Sequence, residues 1–119
     1  MGHTFVKVKL FDKERANHKE VNLLVDTGST YSWVKRSILE GLGVNPIKPR
    51  NFQTIEGKII SRQIGEAIME YDGEVATTIV VFGENEDKEV LGVVSLEELG
   101  LEVDPVTGKV KKMKALLAI

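Results

Sequence analysis

The side-chain pattern of this chain repeats every two residues, and that period constrains the fold more than any other feature. From Phe5 to Phe11, Val6, Val8 and Leu10 alternate with Lys7 and Lys9, as in a strand with one face buried and the other in water. Asp12 to Lys19 is polar and reads as a hairpin connection, with Val21 to Val25 as the returning strand. Tyr31 to Val34 reads as a short third strand. Ser37 to Leu42 reads as a brief helix stopping at Gly43, because glycine accepts the left-handed backbone that ends helices. Asn45 to Arg50 contains Pro46 and Pro49 and is expected to be a loop.

A long hairpin is expected next, with Asn51 to Ile55 leading into a turn at Glu56-Gly57 and Lys58 to Tyr71 returning. Asp72-Gly73 is the strongest short hairpin signal in the chain, and Glu74 to Phe82 is the strand after it. Gly83 to Lys88 reads as an acidic surface loop, Glu89 to Leu91 as strand-like, and Gly92 as its break. Ser95 with Glu98 three residues later has the form of a capping box for a short helix through Leu99, closed by Gly100. Asp104-Pro105-Val106-Thr107-Gly108 is a turn, and Lys109 to Ile119 is expected to be a final strand. No linker or low-complexity segment interrupts this series. The expected architecture is mostly β, a single domain over residues 1–119 with one or two short helices.

Composition removes several classes of function. A length of 119 residues suits one domain, and 42% apolar with 29% charged residues is ordinary for a soluble globular protein. A net charge of −2 gives no global reason to expect nucleic acid or an anionic membrane as partner. No apolar run approaches the roughly 18 residues of a membrane span. Lys7 and Lys9 interrupt any signal-peptide core, and there is no cysteine for a disulfide, a thiol nucleophile or a cysteine metal site. A cytoplasmic location is the expectation. His3 and His18 lack ligand spacing and are read as surface residues, and residues 83–89 lack the pattern of a calcium loop. No metal or cofactor is expected.

The chemistry is concentrated in Leu23-Leu24-Val25-Asp26-Thr27-Gly28-Ser29-Thr30-Tyr31-Ser32-Trp33-Val34. An apolar strand runs directly into a carboxylate, which at the end of a buried strand needs hydrogen bonds or a functional reason to be there. Gly28 allows a sharp turn close to that carboxylate, and Thr27 and Ser29 supply hydroxyls able to fix the loop. A plain strand-end turn would use the same residue types.

The run resembles the active-site segment of the aspartic proteases, in which apolar residues precede Asp-Thr-Gly-Ser or Asp-Thr-Gly-Ala. Two later features match the single-lobed retropepsins in order. Gln53 to Ile60, with a glycine at its tip, lies where the substrate-covering flap would be, and Val90-Leu91-Gly92 followed by a short helix looks like the later apolar-apolar-Gly motif. The resemblance spans about residues 4 to 103. It departs at the flap tip, which holds one glycine, and at Val93, where retroviral enzymes usually carry an arginine.

The resemblance implies a retropepsin-like β-barrel and peptide hydrolysis by two facing carboxylates and a water, one carboxylate as base and its protonated partner as acid. Two carboxylates about 3 Å apart share a proton and titrate as a pair. The chain has one Asp-Thr-Gly, so Asp26 is the candidate catalytic residue and a second copy would supply the other across a two-fold axis. The resemblance assigns loop support to Thr27, Gly28 and Ser29, with Thr27 bonding across the axis and Ser29 bonding the outer oxygen of Asp26. Ile55, Glu56 and Gly57 are the flap candidates over an extended peptide or unfolded protein. Trp33, Val34, Val80 and Leu91 are candidates for subsite walls or, more simply, for the core. The competing function is a dimeric peptide-binding or assembly module that keeps the fold without useful turnover. A phosphoryl-transfer nucleophile would need metal and phosphate partners that are not recognisable. Lys109, Lys111, Lys112 and Lys114 read as the solvated face of an edge strand rather than a nucleic-acid site. The apolar Ala115 to Ile119 is expected either to build the dimer interface or to dock on its own core.

Overall fold

The computed structural model describes residues 3–114. It contains strands β1 (Phe5–Phe11), β2 (His18–Val25) and β3 (Ser32–Lys35), helix α1 (Arg36–Leu42), and strands β4 (Pro46–Gln53), β5 (Ile59–Tyr71), β6 (Glu74–Gly83) and β7 (Val90–Leu91). Helix α2 (Val93–Glu98) and strands β8 (Leu101–Val103) and β9 (Val110–Lys112) follow. The fold is mostly β, as the period-two pattern requires. Among the described residues no helix is long and apolar enough to cross a membrane.

The sheet order is β1-β2-β7-β3-β6-β5-β4, and β1 also pairs with β5, so the strands from β1 to β5 close into a barrel with β4 left outside the ring. Register explains which residues fill it. In the β1–β2 pair, Val6 sits opposite Leu23 and Val8 opposite Val21, and all four are buried. A slip of one residue would turn lysines inward, so the alternation pins the pairing. Leu10, Leu23, Val34, Leu39, Val80, Phe82 and Leu91 are fully enclosed in the same core, each removal from water contributing about 1.5–3 kcal/mol. The Asp72-Gly73 turn has φ of 49° and 82°, the left-handed pair that a tight hairpin demands.

Helix α1 is too short to be stable alone. Buried Leu39 and Leu42 hold it to the barrel, and it ends at Gly43 with φ 86°. Of residues 45–50, expected to be a loop, all but Asn45 instead begin β4, which pairs from Pro46 through Gln53 with β5. The prolines are tolerated because β4 is an edge strand, where half of the backbone N–H groups have no partner to lose, and the register is irregular between Pro46 and Lys48.

Helix α2 also corrects the expectation. Its N-cap is Gly92, with no side-chain cap bond, and Ser95 lies inside the helix, wholly buried. A capping hydroxyl is unnecessary because the Val93 and Val94 amides donate to the carbonyls of Ser29 and Thr30, which satisfy the helix's leading N–H groups. Of the expected final strand, Val110–Lys112 pairs with β8 as a two-stranded ribbon, and Ala115 to Ile119 lie outside the described residues.

Candidate active site

Strand β2 leaves the barrel at Val25, and the next residue is Asp26. The Asp26 amide donates to the Leu91 carbonyl (3.0 Å), and the Val25 amide donates to that of Thr4 (2.8 Å). The loop then turns back on the carboxylate. The Gly28 amide donates to Asp26 Oδ1 at 3.0 Å, and the Ser29 amide to the Asp26 carbonyl at 3.1 Å. A β-carbon on Gly28 would lie 3.2 Å from Oδ1, so a glycine there lets the backbone approach the acid closely. Asp26, Thr27 and Gly28 are exposed in the single chain.

Gly92 secures this loop from behind. Its amide donates to Ser32 Oγ at 3.0 Å, and a side chain on it would collide with the carbonyls of Tyr31 and Ser29. Ser32 Oγ in turn donates to Ser95 Oγ, and Thr78 Oγ1 shares a bond with the same Ser95 oxygen, each at 2.7 Å. This enclosed hydroxyl chain ties β3, β6 and α2 together beneath the loop, with every buried side-chain polar atom among the described residues partnered. Satisfied networks of this kind fix one geometry.

The hairpin of β4 and β5 arches over the loop. Phe52 stacks edge-on against Trp33 at 5.0 Å and Tyr31 at 6.4 Å between ring centroids. The turn closes through Thr54, whose carbonyl accepts from the Gly57 amide and whose hydroxyl accepts from the Lys58 amide, with Gly57 at φ 86°. Ile55 stands fully in solvent at 107% relative exposure. Between hairpin and loop lies a cleft of about 660 Å³, bordered by Asp26, Gly28, Ser29, Tyr31, Trp33, Phe52 and Ile55.

One wall of the cleft is built from charge. Arg62 on β5 donates to both oxygens of Asp87, at 2.7 and 3.1 Å, and the Asp87 carboxylate also accepts from the Glu84 amide. Burial pushes the Asp87 carboxyl up, but the bonds from Arg62 and Glu84 outweigh it and hold the group below its ordinary range. The same pair holds Arg62 above its ordinary range. Among the described residues, no three His, Cys, Asp or Glu side chains gather as metal ligands would.

A family model described as aspartyl protease matches residues 6–69, which takes in the Asp26 loop and most of the overlying hairpin. The chain belongs to the aspartyl protease family. Solved structures agree on the fold. The EIAV protease complexed with an inhibitor has a TM-score of 0.65 at 17% identity, with 98% of this chain and 94% of that one covered. The simian foamy virus protease gives 0.55 at 17% identity, covering 79% and 92%. A retropepsin-like aspartic protease from Rickettsia conorii gives 0.52 at 20% identity, covering 87% and 85%. A search of curated protein sequences finds no match.

Within this aspartyl protease fold, Asp26, Gly28, Ser29 and Ile55 come together on the cleft, while Thr27 lines a separate recess with Phe5, Val25 and Val106. Glu56 and Gly57 form the hairpin tip and lie off the cleft lining. The Ser29 hydroxyl donates to the Tyr31 carbonyl at 2.8 Å rather than to Asp26, since the loop folds that carbonyl under it. Trp33 borders the cleft, whereas Val34, Val80 and Leu91 are core. Tyr31, Arg50, Phe52, Asp87 and Lys88 also line it and were not singled out from the sequence. The alternation of Arg50 and Phe52 along one hairpin face was the available signal for two of these positions.

Proposed function

We propose that the chain is one half of a homodimeric aspartic endopeptidase, in which two Asp26 carboxylates activate the water that hydrolyses a peptide bond. The observation that carries this reading is the setting of Asp26. It borders the cleft between loop and hairpin, one oxygen fixed by the Gly28 amide, and the other carboxylate on that lining, Asp87, is committed to Arg62. Amide hydrolysis by this chemistry needs two carboxylates sharing one proton, and the chain has one Asp-Thr-Gly.

A second copy is the natural source. Thr27 sits on the recess of about 890 Å³ that Phe5 and Val106 also border, and those two side chains are 57% and 91% exposed. Exposed apolar groups beside the catalytic loop favour association there, and a two-fold contact on that face would set two Asp26 loops side by side. In the dimer, the ionised carboxylate takes a proton from water as the water oxygen attacks the carbonyl carbon, and the protonated partner donates to the carbonyl oxygen. The carboxyl that took water's proton then gives it to the amide nitrogen as the C–N bond breaks, while the diol hydroxyl returns a proton to the partner, so the pair again holds one proton. The substrate lies extended under the β4–β5 hairpin, where main-chain pairing holds it in register.

Asp26→Asn tests the reading directly. The variant is expected to fold and sediment as a dimer while losing hydrolysis of an unfolded protein such as casein. Hydrolysis at the wild-type rate would remove Asp26 from the chemistry. A wild-type dimer that binds peptides without cleaving them would favour the binding-module alternative.

A further inference from the structure

The inner face of the β4–β5 hairpin carries two arginines directly opposite each other. Arg50 and Arg62 are register partners, and partners across an antiparallel pair project from the same face with β-carbons about 5 Å apart. Like charges so placed repel, and the arrangement calls for anions. Only Arg62 has them, gripping Asp87 with two hydrogen bonds and lying 3.6 Å from Glu86. Arg50 instead lies over the Tyr31 ring, 5.4 Å from its centroid, a contact that holds the guanidinium in place without neutralising it.

Lys88, an exposed residue, likewise lacks an anion. Neither Arg50 nor Lys88 has a carboxylate within ion-pairing distance among the described residues, and both border the cleft that holds Asp26. Arg50 is half-buried, so water screens its charge less than that of a surface arginine. Asp87 could have served as its anion but is taken by Arg62. Arg50 from the hairpin and Lys88 from the loop before β7 therefore face the cleft as cations with no anion of their own.

We propose that Arg50, assisted by Lys88, forms a subsite that selects an acidic side chain, Asp or Glu, in the bound peptide. This rests on the endopeptidase reading for its substrate. A carboxylate entering the cleft can accept two parallel N–H bonds from the Arg50 fork, which a glutamine amide cannot reproduce and a lysine would oppose. The Arg62–Asp87 pair is a positioning element here: it keeps Asp87 away from Arg50 and ties residues 83–88 to β5, with Lys88 on the cleft wall.

The test uses decapeptides identical except for Glu, Gln or Lys at one position, with that position walked across both sides of the scissile bond. At one position the wild type should show a kcat/KM for Glu about fivefold or more above Gln. The ratio should fall to near one in Arg50→Gln, shrink in Lys88→Gln, and turn in favour of Lys in Arg50→Glu. Comparing peptides within each variant cancels any general loss of folded enzyme. No Glu preference at any position in the wild type, or the same preference in Arg50→Gln, overturns the proposal. If the wild type cleaves none of the peptides, the endopeptidase reading fails separately, and fluorescence anisotropy with the same series decides the subsite. Tighter binding of Glu peptides, lost in Arg50→Gln, upholds it, and equal or absent binding overturns it.

Discussion

Gly92 stands so close to the Tyr31 carbonyl that no side chain fits between them, and the Ser29 carbonyl would lie only 2.9 Å from any β-carbon added there. Both obstacles are backbone of the Asp26 loop, which the Val93 and Val94 amides hold in place. Gly92 has φ −87°, a value open to any residue, so the requirement for glycine is one of space alone. Gly92→Ala should therefore cost about 2–3 kcal/mol and lower activity more than stability, because the strain falls on the loop that carries Asp26. Urea unfolding read beside peptide hydrolysis checks this. An unchanged midpoint would mean that the loop yields without cost.

Ser95 is the hub of the hydroxyl chain under the same loop. Ser95→Ala leaves the Ser32 and Thr78 hydroxyls each short of a partner in a dry site, a loss of about 1–3 kcal/mol. The exposed Ser37 on α1 is the control, since its change to Ala should stay within about 0.5 kcal/mol. Equal midpoints for the two variants would show that the chain contributes nothing to stability.

The contrast between these two sites shows what a sequence of this kind discloses. Asp26-Thr27-Gly28-Ser29 is contiguous and follows an apolar strand, so the loop, as a candidate site, and the fold around it could be read directly, as could the Asp72-Gly73 turn and the alternation of β1. Ser32, Thr78 and Ser95 are joined only by folding, across separations of 63 and 17 residues, and Ser95 invited a local reading as a helix cap. The prolines of β4 suggested a loop because sequence does not reveal that a strand will lie at an edge. That misreading also hid Arg50, whose position opposite Arg62 exists only once β4 pairs with β5. Asp87 looked like one more acid in a solvated loop, yet its side chain is 12% exposed against Arg62 at 14%.

That pair gives stability a defined pH dependence. Burial opposes ionisation of Asp87, but the bonds from Arg62 and the Glu84 amide prevail and hold its carboxyl below the ordinary 3.8. A carboxyl depressed on folding stabilises the protein above its unfolded pKa, and the contribution disappears as pH falls through 3.8 toward the folded value. Asp104, lowered by the Val106 and Thr107 amides, acts in the same window, so the informative quantity is the difference between variants. Asp87→Asn should lose about 1.5–3 kcal/mol at neutral pH and show a shallower decline on acidification. Urea midpoints from pH 7 down to pH 3 measure both. Curves that stay parallel would assign the acid sensitivity to other carboxyls.

Mixed dimers give the most direct test of whether the active site is shared. If each site needs Asp26 from both chains, wild-type protein co-refolded with Asp26→Asn forms heterodimers holding one carboxylate and one amide. An amide cannot take the proton from water, and one carboxylate cannot share a proton with it as with a second carboxylate, so the heterodimer contributes little. Random pairing makes the active fraction the square of the wild-type fraction. An equal mixture should then retain about a quarter of the activity of the same amount of wild type. A chain that carried a complete site would retain about a half, since each wild-type copy would work whatever its neighbour. Subunit exchange must be verified independently, for example by energy transfer between differently labelled chains. With exchange established, activity that rises linearly with the wild-type fraction would exclude a shared site, and a quadratic rise would assign one Asp26 to each half of it.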